Sequence, residues 1–164
     1  MLRVMEKHQL RTRIVAFVAA CAAVIGFNVV NSGSAHAEEI IGVHIQDQNG
    51  GYCLDSNYSG DVYVNPCQSG NIYQQWNLYG SNQSGGWLIS DQQTGRCLVW
   101  DGQKNYATTQ PTCTQFGSWL QWSGNYGVMF ENSNGRGCLD FGGYVAKGVC
   151  IASNSYQNWQ FIYI

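Results

Sequence analysis

The chain has 164 residues, 8 Lys+Arg against 10 Asp+Glu, and 7 Cys. Charged residues make up 11% of it, well under half the roughly 25% usual for a soluble globular domain, while apolar residues reach an ordinary 45%. The length allows one domain and hardly two, the low charge and the aromatics argue against disorder, and the lack of a basic surface argues against nucleic-acid binding.

In chain order, the first predicted element is a secretory leader. Arg3, Lys7, Arg11 and Arg13 form a positive start, Ile14 to Val30 is an almost unbroken apolar run of 17 residues, and Ala35-His36-Ala37 is a small-x-small cleavage site followed by Glu38-Glu39. This three-part pattern predicts a signal peptide over residues 1–37, removed from a secreted, extracellular protein. An uncleaved membrane anchor is the rival reading. The run stands at the lower limit for a span, and the Ala-x-Ala follows it at the distance a cleavage site takes, so no membrane span is predicted in the mature form. That form, 38–164, has 127 residues, four basic and nine acidic side chains, a net charge of −5, and six Cys. An even number of Cys in a secreted chain reads as a disulfide framework. Its 26 Asn+Gln and 16 Trp+Tyr make a surface rich in amides and aromatics. Such a surface suits sugars, which are neutral, hydroxyl-rich and have apolar faces, although other secreted β-proteins share the composition.

The mature chain carries an internal repeat. The three copies read Gly42-Val43-His44-Ile45 then Gly51-Tyr52-Cys53-Leu54-Asp55; Gly86-Trp87-Leu88-Ile89 then Gly95-Arg96-Cys97-Leu98-Val99; and Gly127-Val128-Met129-Phe130 then Arg136-Gly137-Cys138-Leu139-Asp140. In each, the first Gly precedes the Cys by 11 residues. A second Cys then leads to a Trp nine residues on: Cys67 to Trp76, Cys113 to Trp122 and Cys150 to Trp159. Gln74 and Gln157 stand two residues before their Trp, while the middle copy has Leu120-Gln121-Trp122, its Gln displaced. Repeats over about 40–82, 83–125 and 126–164 follow. Within a copy, short runs of Val, Ile, Leu, Tyr and Trp are bounded by Gly, Asn, Asp and Ser, and Asn49-Gly50 and Asn134-Gly135 are turn signals. No window has a helical period. Four short strands per copy predict about twelve strands in a barrel or sandwich.

The repeated Cys-Leu-Asp, second Cys and Gln-x-Trp resemble the ricin B-chain family of lectins over the whole mature chain. The resemblance implies an all-β fold, a β-trefoil of three four-stranded repeats with pseudo-threefold symmetry, and a non-catalytic carbohydrate-binding function with up to one site per unit. Leu54, Leu98 and Leu139, with Trp76, Trp122 and Trp159, are predicted core, since one unit alone cannot bury its apolar face. Six Cys allow 15 pairings, of which the repeat selects Cys53–Cys67, Cys97–Cys113 and Cys138–Cys150. Zinc fails on spacing, as no Cys-x-x-Cys occurs and His44 is the only mature histidine, and no cofactor is implied.

Asp55 and Asp140 stand two residues after the first Cys of their copies. In the resembled family an Asp there accepts hydrogen bonds from two sugar hydroxyls, which suits a group with about four lone-pair sites. The bland alternative is an Asp that stabilises a turn. Val99 takes the position in the second copy and accepts nothing. By resemblance Gln74 and Gln157 orient the Asp, and they also serve a structural role. Tyr73 and Tyr156 stand where the family commonly has Asn. Tyr63, with Asn65 nearby, and Tyr144 are the candidates for the aromatic platform that the family carries before its second Cys. The Asn57-Tyr58-Ser59 and Asn82-Gln83-Ser84 sequons read as plain loop residues. Nothing pairs Asp55 with a second acid or places a nucleophile beside a base. The main rival reading is a trefoil with degenerate sugar sites that binds a secreted protein partner, as a targeting subunit of a toxin or enzyme assembly.

Overall fold

The computed structural model describes residues 38–49, 51–81, 86–134, 136–147 and 149–164. The predicted signal peptide and the Asn82 sequon lie outside these residues. The described residues fall within one compact unit, Ala37–Ile164. They form twelve strands: β1 Glu39–Asp47, β2 Tyr52–Ser56, β3 Val62–Pro66, β4 Gln75–Gly80, β5 Trp87–Asp91, β6 Cys97–Val99, β7 Thr108–Gln110, β8 Ser118–Ser123, β9 Val128–Asn132, β10 Gly137–Leu139, β11 Val145–Lys147 and β12 Trp159–Tyr163. The helical pieces among the described residues are 3-10 turns of three residues each, so the fold is all-β.

Six strands pair antiparallel in a closed ring, β1–β4–β5–β8–β9–β12 and back to β1. Closure removes the free edges a flat sheet would expose. A hairpin hangs from each alternate ring strand: β2–β3 on β1, β6–β7 on β5, and β10–β11 on β9. The register recurs as well. Gln46 opposes Cys53, Ser90 opposes Cys97 and Glu131 opposes Cys138. Val43 opposes Trp76, Trp87 opposes Trp119 and Val128 opposes Trp159.

Leu54, Leu98 and Leu139 are fully buried together with Trp76, Trp119, Trp159, Ile45, Leu78, Ile89 and Phe130. Each of these three indoles donates to the carbonyl of the Leu in its own copy: Trp76 to Leu54 at 2.9 Å, Trp119 to Leu98 at 3.0 Å, and Trp159 to Leu139 at 3.2 Å. A buried Trp needs such a partner, because an unbonded N–H in the core carries a desolvation penalty.

The core residue of the middle copy is therefore Trp119, correcting the expectation for Trp122. Trp122 is 49% exposed and donates its indole N–H to Glu131 at 2.8 Å. The reason lies in the loop after the second Cys. Asn71 and Asn154 cap their 3-10 turns four residues after Cys67 and Cys150, whereas Thr114 caps its turn directly after Cys113. Three residues are missing there, and the Trp arrives three positions early.

The three disulfides are Cys53–Cys67, Cys97–Cys113 and Cys138–Cys150, as the repeat predicts, with Cα separations of 4.9, 5.2 and 5.3 Å. Buried His44 has Nδ1 3.3 Å from Cys53 Sγ, and burial lowers its pKa. His44, Cys53 and Cys67 cluster within 4.8 Å. The two sulfurs are bonded to each other, however, and offer no thiolate to a metal.

Candidate functional site

The site is built on the β2–β3 hairpin. Side chains alternate across a strand, so Asp55 shares a face with Tyr63, its direct cross-strand partner, and with Asn65, which opposes Cys53. Asp55 is only 3% exposed, and a carboxylate so placed must be bonded. Gln74 Nε2 and Asn65 Nδ2 each donate to Asp55 Oδ2 at 3.1 Å. Both amides fall on one oxygen. A carboxylate has about four acceptor sites, so acceptor capacity remains on the group.

Gln74 is itself fixed from both ends. Its Nε2 also donates to the Pro66 carbonyl at 3.2 Å, and its Oε1 accepts from the Gln68 N–H at 2.9 Å. The 3-10 turn Ile72–Gln74, capped by Asn71, places it there. The same side chain thus orients the acid and satisfies backbone groups on either side of Cys67.

Asp55, Ser56, Asn57, Tyr58, Tyr63, Asn65, Asn71 and Tyr73 line one open cavity of about 320 Å³. Its walls are amides and tyrosines, and no Lys or Arg lines it. The Tyr63 hydroxyl donates to the Ser56 carbonyl at 3.4 Å. Burial first, and then the nearby Asp55 carboxylate, push the Tyr63 phenol up, so it stays a protonated donor.

Ser56, Asn57, Tyr58, Asn71 and Tyr73 complete the lining and were not among the predicted site residues. The signal for Tyr58 is its position three residues after Asp55, where the third copy has Gly143 after Asp140. Asn57 of the sequon is tied to Asp61 through both ends of its amide: Oδ1 accepts from the Asp61 N–H at 3.1 Å and Nδ2 donates to the carboxylate at 3.0 Å.

The third copy repeats part of this geometry. Gln157 Nε2 donates to Asp140 Oδ2 and to the Val149 carbonyl, both at 3.2 Å, and its Oε1 accepts from the Ile151 N–H at 2.8 Å. Asp140 Oδ1 caps the turn Phe141–Gly143, accepting from the Phe141 N–H at 2.8 Å. The turn-stabilising role is therefore occupied here. Tyr144 is 60% exposed, and its carbonyl, 2.6 Å away, accepts from the Asp140 N–H. In the middle copy Val99 is buried, and Gly117 takes the place of the Gln; a Cβ there would meet Val99 Cγ1 at 3.3 Å. Acid and orienting amide are replaced together by two packed apolar groups.

No protein-family model matches the chain, and no curated protein matches it. Among solved structures the chain is similar to SeviL bound to asialo-GM1 saccharide, at 18% identity and a TM-score of 0.63, over 76% of this chain and 98% of that one. It is also similar to a GlcNAcα1-4Gal-releasing endo-β-galactosidase from Clostridium perfringens, at 15% identity and a TM-score of 0.65, over 76% of this chain and 33% of that one. The likeness shows a shared fold. The chain spans a third of the endo-β-galactosidase.

Proposed function

We propose that the chain is a secreted, non-catalytic β-trefoil that binds carbohydrate through its first repeat. On this reading residues 1–37 are a removed signal peptide and repeats of about 40–82, 83–125 and 126–164 surround the ring. The observation that carries it is Asp55, held on one oxygen by Gln74 and Asn65 and facing a cavity walled by amides and tyrosines. That combination offers hydroxyl acceptors, amide donors and aromatic faces without a net positive charge, as a neutral sugar requires. SeviL, which has the same fold, is bound to the asialo-GM1 saccharide, and this supports a glycan as ligand. Asp140 and Gln157 form a second, weaker site beside Tyr144, and the middle copy contributes none.

A shallow, wet cleft of this kind gives affinity near millimolar, about −4 kcal/mol. Each charge-assisted bond from Asp55 contributes roughly 1.5–3 kcal/mol. The test is a glycan array that includes the asialo-GM1 saccharide, probed with the protein expressed with its own leader and with its Asp55→Asn, Asp140→Asn and Val99→Ala variants. Asp55→Asn preserves shape and is expected to abolish detectable binding, Asp140→Asn to weaken it, and Val99→Ala to leave it unchanged. If the wild type binds no glycan, or Asp55→Asn binds equally well, the reading gives way to a protein-binding trefoil.

A further inference from the structure

We infer that the stacking face of the first site is Tyr58, held in place across the repeat boundary by Gln93. The inference rests on the carbohydrate reading above and names two residues that the resemblance does not supply. Tyr63 was the candidate platform, but its hydroxyl is directed to Ser56 and its ring is partly buried in the hairpin. Tyr58 lines the same cavity and is 61% exposed, yet its position is fixed from two sides. The ring meets Tyr73 edge-on, with centroids 6.0 Å apart at 86°. Its hydroxyl accepts from Gln93 Nε2 at 3.0 Å and donates to the Gln93 carbonyl at 3.5 Å. An exposed aromatic held this way gives up little conformational freedom when a ligand arrives.

The loop that carries Tyr58 is also braced from the second repeat. The Gly60 N–H donates to the Asn57 carbonyl at 3.0 Å, and the Gly60 carbonyl accepts from the Thr109 N–H at 2.8 Å. Asp61 bridges to Thr108. Arg96 donates to Thr109 through Nε, at 3.1 Å to the hydroxyl, and through Nη2, at 2.6 Å to the carbonyl. Gly60, at φ +96°, leaves no room for a side chain between Arg96 and Thr109, since a Cβ would stand 2.8 Å from each. The second repeat, which has Val99 in place of the acid, thus supplies the frame of its neighbour's site. Gln93 is a positioning residue and Tyr58 the ligand contact.

The experiment reads binding to the array glycan that the wild-type protein retains best, by titration, for Tyr58→Ala, Tyr58→Phe, Gln93→Ala, Gln93→Glu and the Tyr58→Phe/Gln93→Ala double variant. Thermal unfolding of each checks the fold. Tyr58→Ala should weaken binding roughly two- to tenfold, the range of an aromatic contact beyond its area. Tyr58→Phe and Gln93→Ala should each lose less, and the double variant no more than Tyr58→Phe alone, because the amide bond that Gln93→Ala removes is already lost with the hydroxyl. Gln93→Glu, whose carboxylate can accept from the tyrosine hydroxyl, should restore most of the loss. Unchanged binding in Tyr58→Ala, or losses that add in the double variant, would overturn the inference while the carbohydrate reading stands. A wild type that binds no glycan overturns both.

Discussion

Asp91 shows how one repeated position is filled with different chemistry. Asp47, Asp91 and Asn132 each stand six residues before the first Cys of their copy and cap the turn that follows. Asp47 accepts from the Asn49 and Tyr52 N–H groups, Asp91 Oδ1 from Thr94 at 2.7 Å, and Asn132 from Asn134 at 3.1 Å. Asp91 is fully buried, and its Oδ2 has no hydrogen-bond partner. Burial outweighs the bond from Thr94 and raises its pKa above 3.8. A raised carboxylate favours the folded state fully below the unfolded pKa, and that benefit is lost as pH rises through the folded value. Asp91→Asn should therefore stabilise the protein at pH 7 by about 1 kcal/mol, the lower end of the cost of an unsatisfied buried group. The gain should vanish as the pH falls toward 4, as urea unfolding at the two pH values would reveal. The expected structural reason is that an amide at this position reaches the Tyr73 carbonyl, as Asn132 reaches that of Phe116 at 2.8 Å.

At the scale of the element, the 3-10 turn before each buried Trp decides what its copy can do. In the first and third copies it presents Gln74 or Gln157 to an acid; in the second it presents Gly117 to Val99. Trp119→Ala should accordingly destabilise by roughly 3–5 kcal/mol, as for other buried large aromatics. Trp122→Ala should cost about 1 kcal/mol or less, since its ring is half in water. Thermal unfolding of the two variants separates the assignments, and an equal loss in both would refute this alignment of the middle copy. The sequence made the first candidate site legible through Asp55, Gln74 and the Cys spacing, because those residues lie within one hairpin and its adjoining turn. It misplaced Trp122 because a constant Cys-to-Trp count cannot register a three-residue deletion when a second Trp stands three positions on. It did not reveal Tyr58 because the partner that fixes it, Gln93, lies 35 positions away in another copy.

At the scale of the molecule, the loops of the three hairpins lock together. Ala107 N–H donates to the Gly143 carbonyl at 2.8 Å, Tyr106 bridges to Tyr144, and Asp61 bridges to Thr108. Gly143, at φ +77°, brings the third copy against the first so closely that a Cβ would lie 2.6 Å from the Val62 carbonyl. Gly143→Ala should cost roughly 2 kcal/mol or more, combining left-handed strain with the clash. It should shift the amide resonances of Val62 and Tyr63 in an NMR spectrum, although the substituted residue belongs to another repeat. The ring has a further consequence in time. β1 closes against β12, where Gln46 pairs with a residue 114 positions later in the chain. Such distant pairing makes folding slow, in the range of about milliseconds to seconds. A nascent chain lacking β12 leaves β1 and β9 without their last partner, with edges exposed to aggregation. The ring can therefore close only once β12 has been synthesised, so this strand, made long after β1, is what ends the exposure of both edges.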